Sequence, residues 1–378
     1  MNKSVKLGIQ GRPDVPPRLF DLIPRYVEKY GYKDCLFAGK VDRKWVKYNG
    51  QKFYEMTNAI SHGLLKIGVK RGDRIALIAT NCPEWNMIDM AIQQVGAICI
   101  PIYPTISHAD YEYIFNHSEA SLIFVINKHL YNKVSDIITA TPSIKDTYLI
   151  RAAEGLKSLQ DLINLGEENK DEATLEARKA EVKNEDIATI IYTSGTMGNP
   201  KGVMLTHRNI LSVVEYLCPL YPIDETHDTI SYLPLSHIYE RAVQYCHIYL
   251  GCSTYYVENL GAIIDTMAEI KPHHFSSVPR LIEKVYHTIV RKGQKLTGIK
   301  KGIFFWALRL AERYDETKRH NGWFYRQKLK IADKLVYSKW REVFGGNLKL
   351  IISGGAAIQP RLTKIFTAIG IQLSEGYG

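Results

Sequence analysis

Five short apolar runs, RIALIAT (74–80), AICIPIY (97–103), SLIFVI (121–126), TYLI (147–150) and ATIIYT (188–193), alternate with segments of helical periodicity through the first half of this chain. Compact, apolar and mostly free of internal Gly or Pro, they predict parallel strands buried on both faces. Between them, PEWNMIDMAIQQVG, SHADYEYIFNHS and HLYNKVSDIITA return apolar residues every three or four positions, as helices packed on a sheet do. A second series follows: TISYLPL (229–235), CSTYYV (252–257), HHFSSVP (273–279), LKLIISGG (348–355) and IQLSEGYG (371–378), again with helical segments between. The expected fold is therefore α/β, with two packed, mostly parallel sheets covered by helices. Residues of about 71–215 would form one half and about 17–70 plus 216–378 the other. The polar stretch GEENKDEATLEARKAEVKNED (166–186) predicts a surface connection, helical in part.

Several classes are disfavoured by composition. No uninterrupted apolar run approaches the roughly 18 residues of a membrane span, and MNKSVKLGIQGRPDVPPRLF at the start lacks the apolar core of a secretory signal. Six cysteines (35, 82, 99, 218, 246, 252) include no CxxC pair and no metal-like spacing, so they read as reduced thiols of a cytoplasmic protein. The formal net charge of +10 is concentrated: residues 280–345 hold 17 Lys and Arg against 6 Asp and Glu. Within it, KGIFFWALRLAERYDETKRHNGWFYRQKLKIADKLVYSKW predicts two basic amphipathic helices joined near His320-Asn321-Gly322. The basic helical segment 281–345 reads either as a solvated face or as a surface in peripheral contact with an anionic membrane. No nucleic-acid module accompanies the charge, so nucleic acid is not an expected partner. No pattern specifies an oligomeric state.

Residues 192–202 read YTSGTMGNPKG. A strand leads in, and THRNILSVVEYL leads out as a helix with Thr206 as its expected N-cap. Glycines let backbone approach an anion closely, hydroxyls and N–H groups donate to phosphate oxygens, and Lys201 brings a mobile positive charge. The pattern is not a Walker P-loop, because no GxxxxGK[ST] can be laid on it.

YTSGTMGNPKGVMLTHRN closely resembles the phosphate-loop motif of the adenylate-forming superfamily, and further elements follow in that family's order: YLPLSHIYERAVQ (232–244), SSVPRLIEKVY (276–286), ISGGAAIQPRL (352–362) and SEGYG (374–378). The LPLSHxxER and SVPRLxEKVY forms are similar to the long-chain fatty acid CoA ligase branch. The resemblance implies a ligase that joins a fatty acid to the α-phosphate of ATP with release of pyrophosphate, then passes the acyl group to CoA, with Mg2+ offsetting phosphate charge. Thr193, Ser194, Gly195, Thr196, Gly198 and Lys201 match the grip on the β- and γ-phosphates, with Thr196 the one expected contact to the metal. Gly354, Gly355, Ala356 and Ala357 match the strip beside the adenine. Glu375, Gly376, Tyr377 and Gly378 complete that set, and Tyr377 matches its stacking aromatic.

His237 matches a position near the carboxylate and α-phosphate. It is expected to orient the acyl group or stabilise charge rather than to act as a base, since a carboxylate is already ionised at neutral pH. Glu240 and Arg241 follow on the same helix and read either as an ion pair that supports it or as contacts to the site, and Arg280 reads in the same two ways. Ile238, Tyr239 and Val243, with Tyr245, Cys246, Ile248 and Tyr249 beyond, match the acyl channel.

Two departures stand out. Met197 occupies a place usually given to a small hydroxyl or Glu. The family also continues beyond SEGYG with a magnesium-binding Glu, a ribose-binding Asp, a hinge and a small domain carrying the adenylation lysine. The resemblance thus implies that 1–378 is an incomplete N-terminal AMP-binding domain, truncated before the β-barrel part and the C-terminal domain, and inactive alone. Alternatives are a non-catalytic acyl- and nucleotide-binding fragment, an acyl-carrier-protein ligase, or a short-chain or aryl CoA ligase.

Overall fold

A computed structural model describes residues 14–193, 198–257, 259–317, 319 and 321–376. In chain order its elements are α1 (Leu22–Tyr30), β1 (Phe37–Val41), β2 (Lys44–Tyr48), α2 (Gly50–Lys66), β3 (Arg74–Ile78), α3 (Pro83–Gln94), β4 (Ile98–Ile102), α4 (His108–Ser118) and β5 (Leu122–Val125). There follow α5 (Lys128–Ala140), β6 (Asp146–Leu149), α6 (Leu159–Glu168), α7 (Glu172–Glu181), β7 (Ile187–Thr193), β8 (Lys201–Thr206), α8 (His207–Leu217), β9 (Asp228–Ser231), α9 (Ile238–Leu250) and β10 (Ser253–Tyr256). The remainder comprises α10 (Ile263–Ile270), β11 (His274–Ser277), α11 (Pro279–Gln294), α12 (Gly298–Glu312), α13 (Trp323–Ala332), α14 (Ser338–Glu342), β12 (Leu350–Ser353), α15 (Pro360–Ala368) and β13 (Gln372–Glu375). The chain divides into two compact units, Met1–Glu225 with Pro234–Ser253, and Thr226–Leu233 with Thr254–Gly378.

The first unit carries a six-stranded sheet in the order β6-β5-β3-β4-β7-β8. All ten runs read as strands from the sequence are strands, and the five of this sheet pair in parallel. Three strands were not legible in the sequence: β8, antiparallel to β7, and the antiparallel hairpin of β1 and β2. From β3 the chain steps to β4 on one side, returns past β3 to β5 and β6 on the other, and crosses back to β7. The order reverses between β3 and β4, the switch point at which open α/β sheets bind ligands outside the carboxyl ends of their strands. Helix α3 is buried along its whole length, its polar residues Asn86, Asp89, Gln93 and Gln94 included.

Side-chain caps fix where helices begin. Asn49, Ser107, Asn127, Ser158, Asp171 and Thr206 each accept a backbone N–H from the first turn that follows. Thr206 forms a reciprocal capping box with Asn209, as its sequence position predicts for an N-cap. The polar stretch 166–186 contains α7. All six cysteines are buried free thiols.

Helices α2 and α6 pack backbone to backbone. A Cβ on Gly166 would lie 1.8 Å from the Ala59 carbonyl oxygen and 2.8 Å from the Gly63 nitrogen. The helices must part to admit a methyl group, so Gly166→Ala is expected to lower stability by about 3 kcal/mol. A urea midpoint equal to the parent's would refute this.

In the second unit the strands lie in the order β13-β12-β11-β9-β10, and β9, β11, β12 and β13 pair in parallel. The basic segment there contains α11, α12 and α13, with Gly322 as the N-cap of α13, near the junction that the sequence indicates. Beyond α13 the helix loosens into a π-helical turn, Asp333–Tyr337. Among the described residues, no helix is long and apolar enough to cross a membrane.

Candidate active site

The loop that leads into α9 is pinned to the switch point of the first unit's sheet. Leu235 N–H donates to Asn81 Oδ1 at 3.0 Å, just beyond β3, and Ser236 Oγ donates to the carbonyl of Ile102 at 3.2 Å, the last residue of β4. His237 follows as the N-cap of α9, with its ring exposed. Its Nδ1 accepts the Tyr239 N–H at 3.1 Å, so the neutral ring carries its proton on Nε2. Partial desolvation lowers the His237 pKa below the ordinary histidine value. The result is a neutral N–H donor at a helix N-terminus, where the backbone also favours negative charge.

Strand β7 is parallel to β4 and ends on the same carboxyl edge. Thr193 closes it, Lys201 opens β8, and the two residues pair directly across the hairpin. Thr193, Gly198 and Lys201 are exposed, and Gly198 has φ +112°, a conformation that favours glycine. Ser194, Gly195 and Thr196, expected in the phosphate grip, lie outside the described residues, as does Met197. The base of the hairpin is held by Tyr192, whose hydroxyl is 2.7 Å from His117 Nδ1 on α4. Burial pushes the Tyr192 phenol up to about 12, which keeps it neutral. Gly202 leaves room for that ring: a Cβ there would lie 3.3 Å from Tyr192 Cζ and 2.8 Å from Ile190 Cγ2.

Arg241 does not form the ion pair with Glu240 that one reading of the sequence gives. Its guanidinium meets Asp89 of α3, with both side chains about 1% exposed. Nη1 donates to Thr189 Oγ1 at 2.6 Å, and Thr189 Oγ1 donates in turn to the Cys99 carbonyl at 2.7 Å. Tyr245 donates to Asp89 and receives the Gln93 amide at 3.1 Å. Glu240 is buried and accepts from Gln244 at 2.9 Å. The sequence could not show this cluster, because a single turn of α9 and three distant segments, α3, β4 and β7, supply its members. The cluster ties the His237 helix to β7, the strand that leads into the segment expected to hold phosphate.

The residues expected along an acyl channel divide. Tyr245 is committed to Asp89, while Tyr249 donates to Asp14 at 2.6 Å and lies beneath Arg25, so both are framework. Cys246 and Ile248 are buried, and so is Val243, whereas Ile238 and Tyr239 at the start of α9 are half-exposed.

In the second unit the expected adenine residues gather at the carboxyl ends of adjacent parallel strands. Gly354 follows β12 and donates to the Ser277 carbonyl at 3.0 Å, and Gly376 follows β13 and donates to the Ser353 carbonyl at 2.8 Å. Gly355, Ala356, Ala357 and Glu375 are exposed, with Gly355 at φ +79°. Arg280, also exposed, lies in the first turn of α11 after β11. Tyr377 and Gly378 lie outside the described residues.

A sequence model described as AMP-binding enzyme matches residues 24–378. The long-chain-fatty-acid–CoA ligase FadD15 of Mycobacterium bovis is 31% identical over 348 residues, covering 91% of this chain and 57% of that protein. Long chain acyl-CoA synthetase 3 of Arabidopsis thaliana is 30% identical over 402 residues, covering 99% and 58%. This chain thus spans little more than half the length of these relatives. Among solved structures, a long-chain-fatty-acid-CoA ligase (FadD1) from Archaeoglobus fulgidus superposes with TM-score 0.71 at 20% identity, covering 95% of this chain and 63% of that one. The N-terminal domain of FACL13 from Mycobacterium tuberculosis gives TM-score 0.70 at 17% identity, covering 96% and 76%.

Proposed function

This chain belongs to the AMP-binding enzyme family, and on that premise we propose that it is the nucleotide- and acyl-binding part of an AMP-forming, long-chain fatty acid CoA ligase. A carboxylate is a poor electrophile. Attack of its oxygen on the α-phosphate of ATP forms a mixed anhydride and expels pyrophosphate, and the CoA thiol then displaces AMP to give the thioester. The observation that carries this reading is the placement of His237 on the loop at the sheet's switch point, on the carboxyl edge where β7 ends.

His237, neutral and with its proton on Nε2, would hold an oxygen of the carboxylate or of the α-phosphate. No base is needed, since the carboxylate is already ionised. Thr193 and Lys201, with the intervening loop, would grip the phosphates that leave. Mg2+ would enter with ATP as part of the substrate and offset charge on the phosphates. Among the described residues no group of three or more His, Cys, Asp or Glu side chains gathers as a metal site. Gly354–Ala357 and Glu375–Gly376 would receive the adenine, and Ile238, Tyr239 and Val243 the acyl chain near its carboxylate. A protein that takes fatty acids from a bilayer meets an anionic surface, to which the basic segment 281–345 is complementary.

Calorimetry with ATP and assays of pyrophosphate release test this. Lys201→Ala is expected to weaken ATP binding on the order of tenfold or more, whereas His237→Ala should reduce fatty-acid-dependent pyrophosphate release and leave ATP affinity nearly unchanged. ATP binding insensitive to Lys201 would overturn the assignment of the loop. Binding of acyl chain and nucleotide without release would favour a binding module. Release with short or aryl acids alone, or transfer to a carrier-protein thiol, would assign a neighbouring branch.

A further inference from the structure

Helix α13 and the turn after it present two apolar faces rather than one. The inner face is conventional. Ala332, Val336, Tyr337 and Trp340 are buried, and the Tyr325 and Tyr337 hydroxyls donate to the α12 carbonyls of Leu310 (2.6 Å) and Ala307 (2.8 Å). The outer face carries Trp323, Phe324, Ile331 and Leu335, which are 66%, 76%, 53% and 44% exposed. At 100° per residue Phe324 and Ile331 fall on one line, with Leu335 close to it and Trp323 at the helix start. The Trp323 and Phe324 rings pack edge to face, 4.8 Å apart.

The surroundings of this ridge are basic. Between Trp323 and Trp340, Arg326, Lys328, Lys330, Lys334 and Lys339 are all exposed, and the single acidic residue, Asp333, is bound to Arg341. Apolar and aromatic side chains along one line, with lysines on both sides and an inner face fastened to its own domain, suit a helix lying in a lipid headgroup layer. A second copy of the same face would bring like charges together. Aliphatic Ile331 and Leu335 serve no purpose against a nucleic acid, which stacks on aromatic rings.

We propose that the outer face of α13 docks on an anionic phospholipid surface, with Phe324, Ile331 and Leu335 entering the headgroup boundary and Lys328, Lys330 and Lys334 contacting the lipid phosphates. It rests on the proposed lipid substrate, which gives the chain a reason to meet a bilayer, but it is tested separately. The 378-residue chain is sedimented with vesicles of phosphatidylcholine alone and of phosphatidylcholine mixed with phosphatidylglycerol. Binding to the mixed vesicles should exceed binding to the neutral ones by about fivefold for each lysine engaged. Lys328→Gln with Lys334→Gln should remove most of that excess and leave neutral-vesicle binding unchanged. Phe324→Ser with Leu335→Ser should weaken binding to both on the order of tenfold or more.

A measurement on the parent chain guards against misfolded variants: brominated lipid should quench part of the tryptophan emission, and that part should vanish in Trp323→Phe. Equal binding to the two vesicle types, or no Trp323 quenching, overturns the proposal. A dimer that buries Trp323 in sedimentation equilibrium would assign the face to a second copy. DNA binding indifferent to Phe324→Ser, without vesicle binding, would assign it to another polyanion. Vesicle binding alongside a failure of the ATP experiments would sink the ligase reading alone, and the converse would sink only this one.

Discussion

Arg241→Met is expected to destabilise the first unit by about 3–5 kcal/mol, because it strands the buried Asp89 carboxylate without a counter-charge. Asp89→Asn should be comparable, since it leaves the guanidinium without its counter-charge. Removing both, as Arg241→Met with Asp89→Leu, should cost well below the sum of the singles, because neither charge is then left alone. Burial opposes charge on Arg241, but the Asp89 carboxylate outweighs it and holds the guanidinium well above its ordinary pKa. Chemical denaturation of the parent, both singles and the double completes the cycle. If the single effects simply add, the pair is not coupled and Arg241 is an ordinary packed side chain. The cluster also has a functional reading. Arg241 reaches Thr189 on β7 from the helix that begins at His237, so under the proposed function Arg241 would act as a positioning residue. Destabilised variants that remain folded should lose pyrophosphate release more than ATP affinity.

Acidification should produce an effect of similar size. His207 is buried, accepts the Leu19 N–H at 3.2 Å through Nδ1, and has its pKa lowered to about 4 by desolvation. His247, inside α9, is lowered to about 3 for the same reason. In the unfolded chain both would titrate near 6.5. Their contribution is therefore complete above pH 6.5 and is lost as the pH falls toward 4 and 3, because the unfolded chain binds protons that the folded chain refuses. At about 1.4 kcal/mol per unit, His207 accounts for about 3 kcal/mol of this loss and His247 for about 5. His207→Asn retains an acceptor for Leu19 without the proton site, so its unfolding midpoint should fall less steeply between pH 6.5 and 4. Identical slopes for the two proteins would remove His207 from the account.

The strands that make the sheets were legible because burial on both faces leaves a continuous apolar signature. Elements buried on one side, or not at all, left a weaker one. β1 and β2 read FAGKV and KWVKY, and they turn through Asp42 and Arg43, both at positive φ, without the Asn-Gly signal expected of such a hairpin. β8 begins with Lys-Gly and exposes Val203 and Met204, so nothing in its pattern separates it from a loop. Of the site, Thr206 and the spacing of the loop were readable from local chemistry alone. The partner of Arg241 was not legible, because adjacency in sequence is a poor guide on a helix, where neighbours point about 100° apart. Asp89 is separated from Arg241 by 152 positions and sits among apolar residues of a fully buried helix. Only the parallel order of β3, β4 and β7 brings these segments to one edge.

The pairing of Thr193 with Lys201 limits how this segment can vary over evolutionary time. A one-step slip of the β7–β8 ladder would undo that pairing. Every side chain of β8 would then change sides, Lys201 included, and the place opposite Tyr192 that Gly202 now fills would receive a different residue. What the ladder holds constant in descendants of this gene is therefore the register of β8 against β7.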